Sequence, residues 1–377
     1  MEFLIEGITS ITWQQILMWI IGGVLIYLAI AKNMEPSLLL PMGFGAILVN
    51  IPMSGVLNQT LEGMGEVSGI IDWLFSVGIE ASEMMPLLLF IGIGAMIDFG
   101  PLLSNPRLLL FGAAAQFGIF ATVTVAALLG FNIQDAASIG IIGAADGPTS
   151  ILVSLVLKSN YIGPIAVAAY SYMALVPIIQ PFAIKFCTTK KDRKIKMKYN
   201  PKSVSRTTRL LFPIIVTIIA GLVAPASISL VGFLMFGNLI RECGVLNSLS
   251  ETAQKDLVNL ITLLLGITIS ASMRAEQFVT FETLLIMGLG LLAFVFDSIA
   301  GVLFAKFLNL FLKEKINPMI GAAGISAFPM SARVIQKMGL EEDSQNHLLM
   351  HAVGANVSGQ IASVIAGGVI IGIVGLM

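Results

Sequence analysis

Apolar segments of membrane-spanning length follow one another along almost the whole chain and are separated by short polar stretches. A helix needs about 20 predominantly apolar residues to cross the hydrocarbon core of a bilayer. The predicted apolar segments are 11–31, 84–97, 108–129, 137–157, 162–186, 210–223, 228–240, 257–271, 284–308 and 348–377. This pattern predicts an all-α, polytopic membrane protein.

Glycine and proline interrupt two of the apolar regions. The first break, GAADGPTS, is Gly143–Ser150, and the second, GAAGISAFPMS, is Gly321–Ser331. A broken helix survives in a membrane only where protein or a watery cavity satisfies its backbone. Two such breaks in corresponding halves of a chain point to an ion or substrate site. We therefore expect two structurally similar, inverted repeats at 84–186 and 257–377, each with a broken or re-entrant helix.

The other predicted divisions are N-terminal spans with an interfacial helix at 1–83, a basic loop at 187–209 and linking spans at 210–256. Ten of the 21 basic residues lie from Lys185 to Arg209. A short loop this basic is expected on the cytoplasmic side, although docking of an acidic partner or of lipid headgroups is an alternative role.

Counting every apolar stretch as one crossing puts the basic loop on the wrong side relative to Lys32, Arg107 and the acidic N-terminus. A re-entrant segment around Asp146 removes this conflict.

Composition and motifs exclude several classes of protein. Hydrophobic residues make up 56% of the chain and charged residues 11%, and the mean hydropathy is +0.93, so a soluble domain is excluded. Two cysteines cannot form a disulfide framework. His347 and His351 lack the glutamate of a zinc hydrolase between them, and the chain has no phosphate-binding P-loop.

Asp146 is the sharpest chemical signal, because an ionised carboxylate in hydrocarbon costs roughly 2.5–3.5 kcal/mol even on the lenient insertion scale. The hydroxyls of Thr149 and Ser150, together with carbonyls freed at Gly147 and Pro148, surround it with oxygen. Hard cations such as Na⁺ prefer oxygen ligands. The alternative is a buried aspartate satisfied by hydrogen bonds alone.

The next span contains two phenols, Tyr170 and Tyr172. Tyr172 is expected to face Asp146, where its hydroxyl could ligate a cation or give up a proton. The alternative is a tyrosine of the membrane interface.

Polar residues also mark the second break and the last span. The candidates are Asn317, Gly321, Ser326 and Arg333 at the break and Asn356 on the final span. A guanidinium at this depth requires a carboxylate or a watery cavity. Alternatively, Arg333 marks the membrane edge together with Lys337.

Three motifs together carry a family resemblance. They are GAADGPT from Gly143, YSYMALVP from Tyr170, and NPMIGAAGIS from Asn317, which continues to Arg333. The chain resembles, over nearly its whole length, the β subunits of the biotin-dependent, sodium-pumping decarboxylases. Members of that family act on oxaloacetate, methylmalonyl-CoA, glutaconyl-CoA or malonate. The family residues implicated in sodium binding and coupling fall on Asp146, Tyr172, Asn317, Gly321, Ser326 and Arg333.

The resemblance implies a membrane-bound, sodium-translocating carboxybiotin decarboxylase subunit. It would decarboxylate carboxybiotin presented by a partner, consume a proton and export Na⁺. Arg333, with Ser326, would hold the carboxybiotin; Asp146, Asn317 and Ser326 would hold Na⁺; and Tyr172 would pass the proton.

The implied partners are a biotin carrier, a carboxyltransferase and a small membrane-anchor subunit in the inner membrane of a bacterium, with the chain itself a homo-oligomer. Biotin would not be attached to this chain, and no nucleic acid is expected. The alternatives are a sodium-coupled carboxylate transporter without chemistry and a purely structural membrane anchor.

Overall fold

The computed structural model describes residues 2–33, 36–61, 65–198 and 203–375, and the outermost residues of the predicted 1–83 and 257–377 segments lie outside these ranges. The described chain is helical almost throughout, with one short antiparallel β-hairpin. The first elements are α1 (Glu2–Thr9), α2 (Trp13–Lys32), α3 (Pro36–Val49), β1 (Asn58–Leu61), β2 (Gly65–Ser68), α4 (Ile70–Phe75) and α5 (Met84–Met96).

The central part of the chain contains shorter helices before one long one. These are α6 (Gly100–Ser104), α7 (Leu109–Ala115), α8 (Phe117–Leu128), α9 (Ile133–Gly140), α10 (Gly147–Val156), α11 (Ile162–Cys187) and α12 (Lys190–Arg193). The remainder comprises α13 (Arg206–Val223), α14 (Ile228–Cys243), α15 (Asn247–Thr252), α16 (Val258–Ile269), α17 (Ala275–Phe278), α18 (Phe281–Phe311), α19 (Met319–Ala322), α20 (Met330–Glu342) and α21 (Leu349–Val374). Short 3₁₀ or π turns extend several of them, at Ser76–Glu80, Pro106–Leu108, Ile141–Ala144, Pro225–Ser227, Ala253–Leu257 and Ser270–Ser272.

Eight helical stretches in the described residues are long and apolar enough to cross a membrane. They are Trp13–Lys32, Pro106–Leu128, Ile162–Cys187, Arg206–Val223, Pro225–Cys243, Asn247–Ser272, Phe281–Phe311 and Leu349–Val374. Ile70–Glu80 and Met84–Met96, which bend by 63° at their junction, make a ninth if they count as one span. The prediction of an all-α, multi-pass membrane protein is confirmed.

The first break forms the tip of a hairpin that enters and leaves at the same end of the bundle. Near the start of α9, the Asp135 carboxylate accepts hydrogen bonds from the Ser159 hydroxyl at 2.7 Å and the Asn160 backbone N–H at 2.9 Å, just beyond α10. The outer ends of α9 and α10 therefore lie together. We call residues 133–156 the first hairpin.

The second break is also the tip of a hairpin, which we define as residues 317–342. At its start the Asn317 side-chain amide donates to the carbonyl oxygens of Arg193 at 2.9 Å and Ile195 at 2.8 Å. At its end Glu342 pairs with Arg193, with 2.5 Å between Oε1 and Nε. Both ends of the second hairpin therefore meet the basic loop.

The two hairpins enter the bundle from opposite ends. The 26-residue helix α11 starts beside the base of the first hairpin and ends near α12, at the base of the second; a helix of that length spans about 39 Å. Opposed re-entrant hairpins are what inverted repeats produce, and the repeat relation itself stays a prediction. We call the end that carries α12 the basic end.

The hairpin tips meet, and neighbouring helices satisfy the broken backbone. The Ser326 N–H donates to the Ala144 carbonyl at 3.0 Å. From α21, the Asn356 amide donates to the carbonyls of Ala323 at 3.2 Å and Ile325 at 2.6 Å. These bonds replace the helical backbone hydrogen bonds that each break removes. Non-helical backbone is tolerated inside a membrane only where its polar groups are satisfied in this way.

The long helix α18 contacts both hairpins through positions that have no room for larger side chains. A Cβ atom on Gly321 would lie 1.9 Å from the Gly301 carbonyl oxygen, and one on Gly143 would lie 2.7 Å from an Asp297 carboxylate oxygen. Asp297 also accepts the Ile119 N–H at 3.2 Å, near the start of α8. This intramembrane acid, for which the sequence indicates no partner, therefore caps an interrupted helix.

Candidate functional site

Asp146 lies at the tip of the first hairpin, where the chain reverses direction and α10 begins. Ala145 has a left-handed backbone (φ 53°), and Asp146 is the N-cap residue of α10. The Thr149 hydroxyl donates to Asp146 Oδ2 at 2.8 Å, and the Thr149 N–H lies 3.5 Å from Oδ1. A helix N-terminus favours a negative charge, so the local sequence holds the carboxylate in place.

Helix α21 supplies two further donors to the same oxygen. The Ser363 hydroxyl lies 3.2 Å and the Gln360 amide nitrogen 3.3 Å from Asp146 Oδ2. The side chain is buried, and none of the ion pairs formed by the described residues includes it. Three neutral side-chain donors and one backbone N–H thus surround a carboxylate that has no cationic partner among the described residues, an arrangement suited to binding a cation or a proton.

A cavity of about 310 Å³ brings residues of both hairpins together with α11 and α21. Its polar lining consists of Asp146, Tyr170, Ser326, Arg333 and Gln360, with Ser37 and Thr262 on the facing side. The apolar part of that facing wall comes from α3, α5 and α16, through residues such as Leu38, Leu89 and Val258. The cavity therefore lies between the hairpins and a wall of other helices.

Arg333 is solvent-exposed where it lines this cavity. It forms no ion pair with any residue that the structure describes. A guanidinium without a protein carboxylate at the edge of a cavity is free to bind an anionic ligand, and its planar donors match a carboxylate. Arg333 and Asp146 line the same cavity, and the roles predicted for them from the sequence stay predictions.

The two tyrosines of α11 point to different neighbours. The Tyr170 ring lies against Gly147, where a Cβ atom would be 2.2 Å away, and the side chain lines the cavity. Its buried hydroxyl has no hydrogen-bond partner among the described residues. The Tyr172 hydroxyl instead donates to the Met287 carbonyl on α18, and its ring packs beside Gly290. Tyr172 is not among the residues that line the cavity.

Asn317 and Gly321 lie away from Asp146. Asn317 is fully buried at the base of the second hairpin, and its Oδ1 accepts the Met319 N–H at 3.1 Å. Gly321 is the point of closest approach between that hairpin and α18. In this structure both shape and anchor the second hairpin, and their predicted direct roles in sodium binding stay predictions.

Asn356 and Ser326 connect α21 to the second hairpin. The Ser326 hydroxyl donates to the Gly359 carbonyl at 3.2 Å. While the Asn356 amide nitrogen binds the broken backbone, its Oδ1 is buried without a hydrogen-bond partner among the described residues. That orphaned oxygen is an acceptor available to a cation.

The structure adds Ser363 and Tyr170 to the residues expected at the site. Asn356, Gln360 and Ser363 follow one another at intervals of four and three residues, so they share one face of α21. That spacing is the sequence signal that identifies Ser363. This polar face of α21 is directed towards both breaks.

The oxygen atoms that the site offers as ligands fit a hard cation. They comprise one carboxylate, hydroxyls, amide oxygens and the carbonyls of broken helices, which are the ligand types that hard cations prefer. No group of three or more His, Cys, Asp or Glu side chains able to hold a metal occurs in the described parts of the chain.

Comparison with known proteins gives one consistent result. Residues 14–374 match the family described as the Na⁺-transporting oxaloacetate decarboxylase beta subunit. The chain is 48% identical to the methylmalonyl-CoA decarboxylase subunit beta of Propionigenium modestum, over 98% of this chain and 97% of the relative. It is 46% identical to the glutaconyl-CoA decarboxylase subunit beta of Acidaminococcus fermentans, over 98% and 96%. It is 44% identical to the oxaloacetate decarboxylase beta chain of Klebsiella pneumoniae, over 97% and 96%.

Proposed function

The chain belongs to the family of β subunits of the sodium-pumping decarboxylases, and from that premise we propose that it decarboxylates carboxybiotin and moves Na⁺ through the site at Asp146. The observation that carries the proposal is a cavity lined by both the buried carboxylate of Asp146 and the guanidinium of Arg333. Neither group forms an ion pair with any residue that the structure describes. A sodium pump driven by decarboxylation needs both a cation site and a carboxylate site.

Asp146 supplies the charge of the sodium site, and its present hydrogen-bond donors supply further ligands. The hydroxyls of Thr149 and Ser363 donate to the carboxylate here, and the same oxygens can accept a cation after rotation, because a hydroxyl is both donor and acceptor. Asn356 Oδ1 adds an acceptor from α21. Na⁺ is cargo in this scheme, so the ligands must bind it reversibly.

Arg333 binds the carboxylate of carboxybiotin, which enters from the basic end. In the reaction the N–CO₂⁻ bond breaks, CO₂ leaves, and the ring nitrogen of biotin takes up one proton. The Tyr170 hydroxyl, which lines the cavity beside the Asp146 hairpin, can carry that proton inward. The role predicted for Tyr172 remains a hypothesis, and a comparison of the Tyr170→Phe and Tyr172→Phe variants distinguishes it from this one.

The family membership also supports a set of partners and a location. We infer a biotin carrier, a carboxyltransferase and a small membrane-anchor subunit as partners, a bacterial inner membrane as the location, and a homo-oligomer of this chain. The basic loop lies on the cytoplasmic side in this scheme. The identity of the acyl substrate depends on the carboxyltransferase partner.

The test is decarboxylation of free carboxybiotin by the purified chain in proteoliposomes, measured as CO₂ release together with ²²Na⁺ movement. We expect CO₂ release that requires Na⁺, and both signals should be lost in Asp146→Asn while the protein still inserts. Sodium-coupled uptake of a carboxylate with no CO₂ release would instead support a secondary transporter, and would overturn the proposal.

A further inference from the structure

A basic cavity lies at the basic end, apart from the Asp146 cavity, and its volume is about 640 Å³. The turn before α7, the loop after α12 and the loop between α18 and α19 form most of it, and Phe111 of α7 and His351 of α21 complete the lining. Its charged lining consists of Arg107, Lys196, Lys198, Lys313 and Lys315, against the single carboxylate of Glu314. A second cavity of about 720 Å³ adjoins it and shares Arg107, Lys198 and Glu314.

Most of this positive charge is not neutralised by other residues in the described part of the chain. Lys196 pairs with Asp343 at 3.1 Å, and the Lys315 ammonium donates to the Asn309 carbonyl. Arg107, Lys198 and Lys313 take part in no ion pair with the residues that the structure describes. Cations held around one cavity repel one another, and a bound anion would remove that repulsion.

The floor and the flanks of the cavity are apolar. Leu108 and Phe111 form part of the floor. Beside it, in the last turn of α18, Leu310 is 75% exposed and Phe311 is 73% exposed. Leu109, in the first turn of α7, is also exposed. These exposed apolar side chains lie near the ends of helices that are long and apolar enough to cross a membrane, where contact with lipid acyl chains would cover them. The cavity therefore lies at the level of the lipid headgroups.

We propose that this basic cavity binds the headgroup of an anionic phospholipid. Basic pockets between membrane helices on the cytoplasmic side suit such headgroups. The adjoining apolar flanks favour a lipid over an acidic protein surface, because a lipid fills the charged cavity and covers the exposed flanks at once. This inference does not depend on the proposed function.

A lipid in this position would contact the root of the second hairpin. The loop containing Lys196 and Lys198 is bonded to Asn317, through the Ile195 carbonyl at 2.8 Å and the Met197 sulfur at 3.3 Å. Residues 312–316, which form the opposite wall, lead directly into Asn317. Binding should therefore raise the thermal stability of the chain in addition to retaining lipid.

The experiment is native mass spectrometry and thermal unfolding of the delipidated full chain, titrated with phosphatidylglycerol or with phosphatidylcholine. We expect the anionic lipid to bind and to raise the unfolding temperature, and the zwitterionic lipid to do neither. The double variant Lys198→Gln/Lys313→Gln should weaken phosphatidylglycerol binding by about 30-fold, or about fivefold for each charge removed.

Two control variants separate site binding from general charge and from misfolding. Lys190→Gln/Lys191→Gln removes the same charge from the exposed basic loop outside the cavity and should bind as the parent does. Lys198→Arg/Lys313→Arg keeps the charge and should also bind as the parent does. Equal loss in both glutamine variants, equal binding of the two lipids, or equal stabilisation by inorganic phosphate would each overturn the proposal. Displacement of phosphatidylglycerol by inorganic phosphate at matched concentration would overturn it too.

Discussion

Replacing Tyr170 by phenylalanine removes one oxygen atom that is buried and has no hydrogen-bond partner among the described residues. A buried polar group without a partner costs about 1–3 kcal/mol. Tyr170→Phe is therefore expected to unfold at the same temperature as the parent or higher. Tyr172→Phe should be destabilised by about 0.5–1.5 kcal/mol, because it loses the hydrogen bond to the Met287 carbonyl.

The functional effects should run the other way if Tyr170 carries the proton. Positioned proton transfer contributes about 10²–10⁴-fold to a rate, so Tyr170→Phe should lower Na⁺-dependent CO₂ release at least a hundredfold. Tyr172→Phe should change that rate much less, because its hydroxyl is bonded to α18 and does not line the cavity. One variant thus loses rate without losing stability, and the other loses stability with little loss of rate.

The assay measures CO₂ release and ²²Na⁺ movement in proteoliposomes, and thermal unfolding in detergent, for the parent and both variants. Tyr27→Phe is the matched control, because Tyr27 is 57% exposed on α2 and should match the parent in every measurement. A parental rate in Tyr170→Phe would remove that hydroxyl from the mechanism. A large rate loss confined to Tyr172→Phe would return the proton step to the tyrosine predicted from the sequence.

Three further substitutions test the rest of the site. Asp146→Asn keeps the shape of the N-cap and should abolish sodium activation, whereas Asp146→Glu should keep only part of the sodium activation. Normal sodium activation in the Asn variant would exclude a sodium site at Asp146. Arg333→Lys should be strongly impaired in CO₂ release because an ammonium cannot reproduce paired donors, while Lys337→Gln should not be; an active lysine variant would favour the membrane-edge interpretation. Gly321→Ala should lower the free energy of unfolding by about 1–3 kcal/mol, because the added methyl group overpacks against α18. Gly372→Ala, where nothing lies within 4 Å, should be neutral, and equal unfolding temperatures in the two alanine variants would refute the close contact.

The sequence predicts the breaks themselves, because glycine and proline interrupt a helix by local chemistry alone. It does not predict that the Ser326 N–H meets the Ala144 carbonyl, since that bond depends on how two distant segments pack. The re-entrant path of the Asp146 segment is predicted from the distribution of charged residues between the two sides of the membrane. The structure supplies the contact that closes the hairpin, from Asp135 to Ser159.

The choice of tyrosine shows where local patterns stop being informative. Tyr170 and Tyr172 lie two residues apart, so their side chains point about 160° apart around α11. An apolar helix buried on most sides has no polar face to indicate which of the two directions leads to Asp146. The interruption between α7 and α8 is likewise unmarked, because the acid that caps it, Asp297, comes from a helix far away in the sequence.

In the proposed function, the arrangement of the hairpins provides a route by which carboxylate chemistry acts on an ion. Arg333 belongs to the second hairpin and Asp146 to the first, and each hairpin is rooted at a different end of the bundle. The tips are joined by one backbone hydrogen bond and by side chains of α21 that contact both. An anion bound at Arg333 can therefore bias the second hairpin and, through α21, change the donors around Asp146. If an anion at Arg333 changes the affinity for a cation at Asp146, as the proposed function requires, the cation must alter anion binding by the same factor, because coupling between sites is reciprocal.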